Sequence, residues 1–395
     1  MSGFTWTVSM DGTDIKDIVL EDGSKVDYGR GSLFEQPAPP YAILNLPTRD
    51  SYPGTIDMFP EFGLGNHSMP SGFVDVYADV YAGPQSRITL GAPVQVNART
   101  ESGFTDEYDD AYAGISLTRF TGYIQAIDYK WDLISLTCLP DMEAWGRITV
   151  GGTDGTTTIP AESDVDRVQR LCTQAGVTIG IQGPDGPQIT AIPPSTAASD
   201  LLTQLTKIAT DTGGLLFTDR DGLVYYRTSG WTPPATTTIP AGATVRDSLS
   251  MNLELGLVRN QITVEYGDAT PRETVTATDT ASITAYGLRE ASYQTQIDLE
   301  ADAQDYADWL LASLDAAWQL PDVTVLFTLA ADTEISAMAA LEQGSPVTLP
   351  TLLAGSPESS YSSTVLGYTE NLSRSNWFIT YHLAPSNAPL PGVSA

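Results

Sequence analysis

Residues Val365–Pro385 read VLGYTENLSRSNWFITYHLAP, and within them Trp377, Ile379, Tyr381 and Leu383 alternate with polar neighbours. A period of two over a run rich in aromatic and β-branched residues is the signature of a half-buried strand. Upstream, DVTVLFTLA sets Val323, Val325, Phe327 and Leu329 on one face, and GSPVTLP (Gly344–Pro350) and SSTVLGYTE continue in the same manner. Further back lies LEADAQDYADWLLASLDAA (residues 299–317), where Ala303, Ala307, Leu310, Leu314 and Ala317 fall at helical spacing and Asp302, Asp305 and Asp308 line another face. Asp298 is the expected N-cap, and the early carboxylates complement the helix dipole. The YGLRE segment (Tyr286–Glu290), with Arg289, reads as a turn that ends a strand. No nucleophile, base or metal cluster interrupts Tyr286–Pro385; the stretch specifies shape.

The N-terminal 140 residues are also strand-like. TWTVSMDGTDI places a DG turn after a Trp6, Val8, Met10 face, and VLEDGSKVDYGRG repeats the device at Asp22 and Gly23, so two hairpins are predicted. Strands follow at YAILNL, FVDVYADVYAG, ITLGAPVQV, GISLTRFTGYIQAIDY and DLISLTCL, with the spacing of a barrel or sandwich. Two rim insertions interrupt them, residues 47–72 and the acidic ESGFTDEYDDAYAG of residues 101–114.

Between 141 and 227 the period changes. Ser163 with Asp166 at N3 opens a helix carrying Val168, Leu171, Cys172 and Ala175, which Gly176 closes. Ser199 is the expected cap of a second, with Leu201, Leu202, Leu205, Ile208 and Ala209, ended by Gly213 and Gly214. LLFTDRDGLVYYR then forms a hairpin turning at Asp219–Gly222, and the whole reads as a small α+β domain. Residues 228–250 are a Thr/Pro/Gly-rich linker holding a short strand; β alternation resumes at Val258, Ile262 and Val264, so a second β-domain covers 251–385, with 386–395 an extended tail.

Composition excludes several functions. The 395 residues carry 49 acidic and 19 basic side chains, a formal charge of −30, which disfavours a phosphate backbone or an anionic membrane as a tight partner. Apolar runs reach about ten residues, short of the roughly 20 that span a bilayer, and no basic-then-apolar leader opens the chain. Membrane insertion is not expected, and production in a cytoplasm is. Two cysteines, Cys138 and Cys172, read as buried thiols, and two histidines, His67 and His382, supply no zinc spacing and no triad motif. DEYDD (Asp106–Asp110) is the densest carboxylate cluster and reads as a solvated loop before a catalytic pair or Ca²⁺ site. No catalytic, cofactor-binding or metal-ligating residue is predicted, and no cofactor. The surface residues singled out for an interface or rim are Asp302, Asp305, Asp308, Tyr108, Asp109, Asp110, Tyr112 and Arg289.

Taken in order, VDYGRG, LTRFTGYIQAIDY (Leu117–Tyr129), DVDRVQRLCTQAGV, DLLTQLTKIATDTGGLLFTDRDGLVYY, VRNQITVEYG, YGLRE, DAQDYADWLLA, GSPVTLP and VLGYTENLSRSNWFITYHLAP resemble the minor tail and baseplate hub proteins of long-tailed actinobacteriophages. That resemblance implies a mainly β fold with an inserted small α+β domain: two tube-type β-barrel domains, 1–140 and 251–385, around the module at 141–227. It implies a homotrimer whose six barrels sit on a hexameric tail tube. Implied partners are the distal tail protein or tube hexamer, the C-terminus of the tape-measure protein, other minor tail or receptor-binding proteins, and genomic DNA in passing. The implied setting is the virion tail tip, with assembly in the host cytoplasm, and the fibre and peptidoglycan-cleaving extensions of some relatives have no residues here after Ala395. Two alternatives stay open: a receptor-binding tail-tip protein using the Tyr-rich acidic loop and residues 47–72 on cell-wall glycans, and a β-rich cell-wall hydrolase using acids such as Asp109 and Asp110.

Overall fold

The computed structural model describes residues 4–10, 13–18, 24–29, 36, 38–47, 90–100, 116–129, 133–153, 158–194, 196–314, 319–327, 332–350, 356, 359–372 and 377–384. The chain divides into two units: Met1–Val26 with Tyr41–Pro140 and Glu370–Trp377, and Asp27–Pro40 with Asp141–Thr369 and Phe378–Ala395.

The first unit is an antiparallel sheet. Its strands are β1 (Phe4–Met10), β2 (Thr13–Ile18), the start of β3 (Ser24–Gly29), β4 (Ala38–Pro47), β5 (Pro93–Thr100), β6 (Ser116–Tyr129) and β7 (Leu133–Leu139). Neighbours run β4-β7-β6-β5-β1-β2. Alternation drives this: Val8, Ala42, Leu44, Val94, Val96, Phe120, Ile124, Ile134, Leu136 and Cys138 are all buried, and the register sets Leu44 against Leu136 and Phe120 against Val96. The long β6 shifts register beside Val96 and again after Ile124, the bulges that let a strand bend. Gly122 sits at its tightest point, where a Cβ would lie 2.5 Å from the Leu139 carbonyl oxygen and 2.7 Å from the Phe120 ring. The expected strand at residues 73–83 lies outside the described residues.

The first predicted hairpin is present, with Met10 opposite Thr13. The second is not: β3 pairs with β4, where Asn45 N–H donates to Ser24 Oγ at 2.9 Å, and β2 pairs only with β1 among the described strands. A DG turn signals a local reversal but does not choose the strand's partner, and here the buried Val26 face of β3 is matched to β4 instead.

In the second unit a 3₁₀ turn (Asp141–Arg147) leads to β8 (Thr149–Val150), β9 (Glu162–Ser163), α1 (Asp164–Ala175), β10 (Gly180–Gln182), β11 (Gln188–Ile189), β12 (Ser199–Asp200), α2 (Leu201–Thr212), β13 (Leu215–Thr218) and β14 (Val224–Arg227). Ser163 caps α1, accepting from Asp166 N–H, and Gly176 closes it in the left-handed region at φ 72°. The cap of α2 is Asp200, which accepts from Thr203 N–H at 2.8 Å; Ser199, expected there, lies in β12. Val168, Leu171, Leu201, Leu205, Ile208, Leu216 and Tyr226 make one core between the helices and the β10-β14-β13 sheet.

Next come β15 (Thr237–Thr238), β16 (Gln261–Tyr266), β17 (Glu273–Thr278), α3 (Thr280–Tyr286), β18 (Glu290–Gln294) and α4 (Glu300–Ser313). The β17-β16-β18 sheet buries Ile262, Val264, Val275 and Ala277 against Ala303, Ala307 and Leu310 of α4, so the small-residue stripe does what its spacing predicts. The helix begins one residue later than expected: its cap position is Leu299, whose hydrocarbon side chain has no acceptor to offer, while Asp298, the expected cap, lies one residue earlier with its N–H bonded to the Gln188 carbonyl; residues 315–318 lie outside those described. YGLRE follows a helix, α3, and not a strand; Gly287 at φ 76° makes the exit.

The unit is completed by β19 (Asp322–Leu326), α5 (Asp332–Ala339), β20 (Pro346–Leu349), β21 (Tyr361–Leu372) and β22 (Trp377–Leu383). β22 lies between β19 and β21, β20 pairs with β21, and β15 adds in parallel to β20. Val323, Val325, Phe327, Ile379, Tyr381 and Leu383 are buried as their alternation predicts. Between 251 and 385 the described strands therefore belong to two sheets. The chain is mainly β with a small α+β module inserted, and its described strands form open sheets.

Candidate assembly surface

Reactive groups in the described regions are spent on packing. Burial pushes the Cys138 thiol up to about 12 and the Cys172 thiol up to about 11, so neither is a ready nucleophile. Asp164 is fully buried, accepting from Gly186 N–H at 2.8 Å and from the Tyr226 hydroxyl at 2.7 Å, and burial raises its carboxyl above the ordinary range. Arg119 and Glu370 form a buried ion pair, with Arg119 Nε donating to the two carboxylate oxygens at 2.8 and 3.0 Å. Trp377 Nε1 donates to the same carboxylate at 3.1 Å, and the guanidinium lies over the indole. Among the described residues no three His, Cys, Asp or Glu side chains are grouped to hold a metal.

His382 has a more chemical neighbourhood. Its Nδ1 lies 2.6 Å from Asp322 Oδ1 and its Nε2 3.3 Å from Thr369 Oγ1, a carboxylate–imidazole–hydroxyl row across β19, β22 and β21. Hydrolysis by such a row also needs N–H donors aimed at a developing oxyanion. The amides of β19 and β22 are committed to their ladder, and the row joins side chains of three neighbouring strands.

Asn260 is fully buried and bonded through both its side chain and its backbone. Its Oδ1 accepts from Arg289 N–H at 2.7 Å, its Nδ2 donates to the Gly287 carbonyl at 2.8 Å, its N–H donates to the Arg289 carbonyl, and its carbonyl accepts from Asp279 N–H. One residue thus ties the 251–260 loop to the start of α3 through its backbone and to the turn after α3 through its side chain. Arg289 is half-buried, and its Nε finds no hydrogen-bond partner among the described residues. Around this clamp Leu253, Leu255, Leu257, Tyr286 and Leu288 stand exposed.

The acidic face of α4 is placed as follows. Asp302 Oδ2 accepts from Gln188 N–H at 3.0 Å, tying the helix to β11; Asp308 Oδ1 accepts from Gln304 Nε2 at 3.0 Å and faces solvent, as does Asp305. Arg289 is not joined to these carboxylates by any hydrogen bond or ion pair among the described residues. Tyr108, Asp109, Asp110 and Tyr112, His67, residues 101–114, nearly all of 47–72, and 386–395 lie outside the described residues. Sequence reasoning missed Asn260 and the leucines beside it. NLELGLV alternates like a strand, and the visible hint was that three leucines in alternation precede the residue where β16 begins.

No protein-family model and no curated protein sequence matches the chain. Solved structures do. A tail protein from Neisseria meningitidis MC58 superposes with a TM-score of 0.60 at 12% identity, covering 99% of each chain. The 43 kDa tail protein of prophage MuSo2 from Shewanella oneidensis gives 0.58 at 11% identity over 98% of this chain and 99% of that one. Prophage tail protein gp18 from Listeria monocytogenes EGD-e gives 0.53 at 9% identity over 96% and 94%. At these identities the likeness is one of fold: this chain has the fold of prophage tail proteins along almost its whole length.

Proposed function

We propose that this chain is a structural, non-enzymatic tail protein of a long-tailed actinobacteriophage: a trimeric hub at the tail tip that adapts the hexameric tube to a threefold end and forms part of the channel for DNA ejection. The observation that carries the reading is the likeness of fold to a tail protein over 99% of both chains. Three subunits with two tube-like regions each would present a pseudo-sixfold ring to the tube, and the tape-measure end and receptor-binding proteins would contact its other surfaces. The formal charge of −30 supports a channel role, because a surface rich in carboxylates repels passing phosphates and offers few cations for them to bind. Asp305 and Asp308, solvent-facing on α4, and the rim residues Tyr108, Asp109, Asp110 and Tyr112 are the proposed contacts for neighbours of basic or aromatic character. Reconstruction of the virion tail tip tests the proposal: three copies around the axis below the tube are expected. Absence of the chain from that density, together with a strictly monomeric mass for the purified protein, would overturn it.

A further inference from the structure

The loop at 251–260 is unusual for so acidic a chain. Leu253, Leu255 and Leu257 are 46, 45 and 48% exposed, and Tyr286 and Leu288, on the turn that Asn260 clamps to the same loop, are 41 and 56% exposed. Scattered exposed leucines need no explanation, but five apolar side chains carried by two short segments that Asn260 ties together do. The loop is held at both ends: Asn252 exchanges backbone hydrogen bonds with Gln319 at 2.9 and 2.8 Å, and Arg259 N–H donates to the Leu314 carbonyl at 3.0 Å. Within it, Leu257 N–H closes a turn onto the Glu254 carbonyl. The backbone therefore fixes these side chains at the surface.

Two further observations describe what would cover them. Residues 251–260 and 286–290 contain two acids, Glu254 and Glu290, and two bases, Arg259 and Arg289, a local charge of zero in a chain of −30. Elsewhere two copies of the chain repel each other; here an acidic surface can approach. Moreover, the guanidinium of the half-buried Arg289 has no hydrogen-bond or ion-pair partner among the described residues. It is a donor-only group, and a chain with 49 carboxylates and 19 cations has acceptors in excess. A basic partner would be drawn to Asp305 and Asp308 and repelled by Arg259 and Arg289.

We infer that the surface formed by Leu253, Leu255, Leu257, Tyr286 and Leu288 around Arg289 is where a second copy of this chain docks, the apolar side chains making the buried centre and a carboxylate of the neighbouring copy meeting Arg289. This inference rests on the proposed trimer and assigns one surface through which its subunits meet. Apolar residues at the centre with a charged residue beside them is the usual anatomy of an energetically decisive patch.

Thiol protection of the full-length chain tests it. Cys138 and Cys172 are buried, so Leu288→Cys introduces an accessible thiol whose maleimide labelling rate can be read at concentrations above and below assembly, with oligomeric mass measured in parallel. Labelling slowed by about tenfold or more in the assembled sample is expected. In a companion variant, Leu257→Glu with Leu288→Glu, assembly should be lost while circular dichroism stays native. A wild-type chain that is monomeric throughout overturns the trimer and this inference together. Assembly of the expected mass with the introduced thiol unprotected, or a double variant that assembles like wild type, leaves the trimer standing and overturns this surface. If the double variant does not fold, the labelling result decides.

Discussion

Changing Glu370 to Gln removes a charge and almost no volume, which makes it the sharpest perturbation available in the first unit. Glu370 and Arg119 are 0 and 1% exposed, so the guanidinium has no route to water when its counter-ion is neutralised. Taking one partner from a buried ion pair typically costs about 3–5 kcal/mol. At about 1.4 kcal/mol per factor of ten, the local opening equilibrium rises by a hundredfold or more. The change should be felt on β6, which carries Arg119, and on the Glu370–Trp377 segment, which contributes the other two partners. Hydrogen exchange of β6 peptides followed by mass spectrometry reads it locally, without assuming that both units unfold together. The control is Arg119→Leu with Glu370→Leu. Replacing a buried pair by apolar side chains is often neutral or stabilising by about 1–4 kcal/mol. Loss of the Trp377 Nε1 hydrogen bond to Glu370 returns about 1–3 kcal/mol of cost. The double variant should therefore lie near wild type and far below the sum of the singles. If Glu370→Gln leaves β6 exchange within about threefold of wild type, or if the two single effects simply add, the pair is not the coupled element described here.

Four other substitutions or treatments probe separate features. Burial holds the Asp164 carboxyl above its ordinary value of 3.8, so the native state binds that proton more tightly than the unfolded chain does. Its contribution therefore favours folding in acid and is lost as pH rises through the native pKa. Asp164→Asn should keep the Gly186 N–H bond, let the Tyr226 hydroxyl turn to Thr212 Oγ1 at 3.0 Å, and flatten the dependence of the urea midpoint on pH above the ordinary carboxyl value of 3.8, whereas Asp164→Ala should cost about 2–4 kcal/mol. Gly122→Ala drives a methyl into the Leu139 carbonyl and the Phe120 ring and should cost about 1–3 kcal/mol in thermal or urea unfolding. Asn260→Ala removes two side-chain hydrogen bonds and strands the Arg289 amide, a loss of about 2–3 kcal/mol visible as faster exchange or proteolysis at residues 286–290. At about pH 8 the native chain should show no thiol reactive toward an aromatic disulfide, and both cysteines should react once urea unfolds it.

What could be read in the sequence was local. Ser163 and Gly176 bracket α1 because a hydroxyl cap and a left-handed glycine act within four residues of themselves, and Val323, Val325, Ile379 and Tyr381 alternate because a strand's two faces differ at every step. The cap of α2 failed by one residue because Ser199 and Asp200 are both good cappers, and only the backbone geometry decides which oxygen reaches Thr203. Partner choice was not local. β3 follows a DG signal yet pairs with β4, and Arg119 finds Glu370 at a separation of 251 residues. An arginine in the middle of LTRFTG reads as solvent-facing until its counter-ion is found. Asn260 is hidden for the same reason: in VRNQIT it is one polar residue before a strand, and its partners lie 27 and 29 residues away.

How the inserted module is fixed within the second unit bears on the proposed role. The hairpin of β13 and β14 sends out two arginines. Arg220 reaches the Leu341 carbonyl at 2.8 Å and Glu342 at 2.6 Å, while lying 4.7 Å from the Tyr368 ring centre. Arg227 lies 3.7 Å from the ring centre of Trp231 and 4.6 Å from that of Phe217, bonded to Gln182 at 3.0 Å and to the Gln343 carbonyl. A Cβ on Gly344 would strike that guanidinium, so the turn at 341–344 is shaped around it. Further bonds come from α4: the Tyr306 hydroxyl donates to the Thr210 carbonyl at 2.9 Å, and Asp302 accepts from Gln188 N–H. Apolar packing alone tolerates small rotations, whereas planar guanidinium contacts and hydrogen bonds to backbone carbonyls do not. The module is thereby held in one orientation relative to both sheets of its unit. A ring that must present the same surface to each neighbour needs that property, because a swivelling insert would spoil the match at every interface at once.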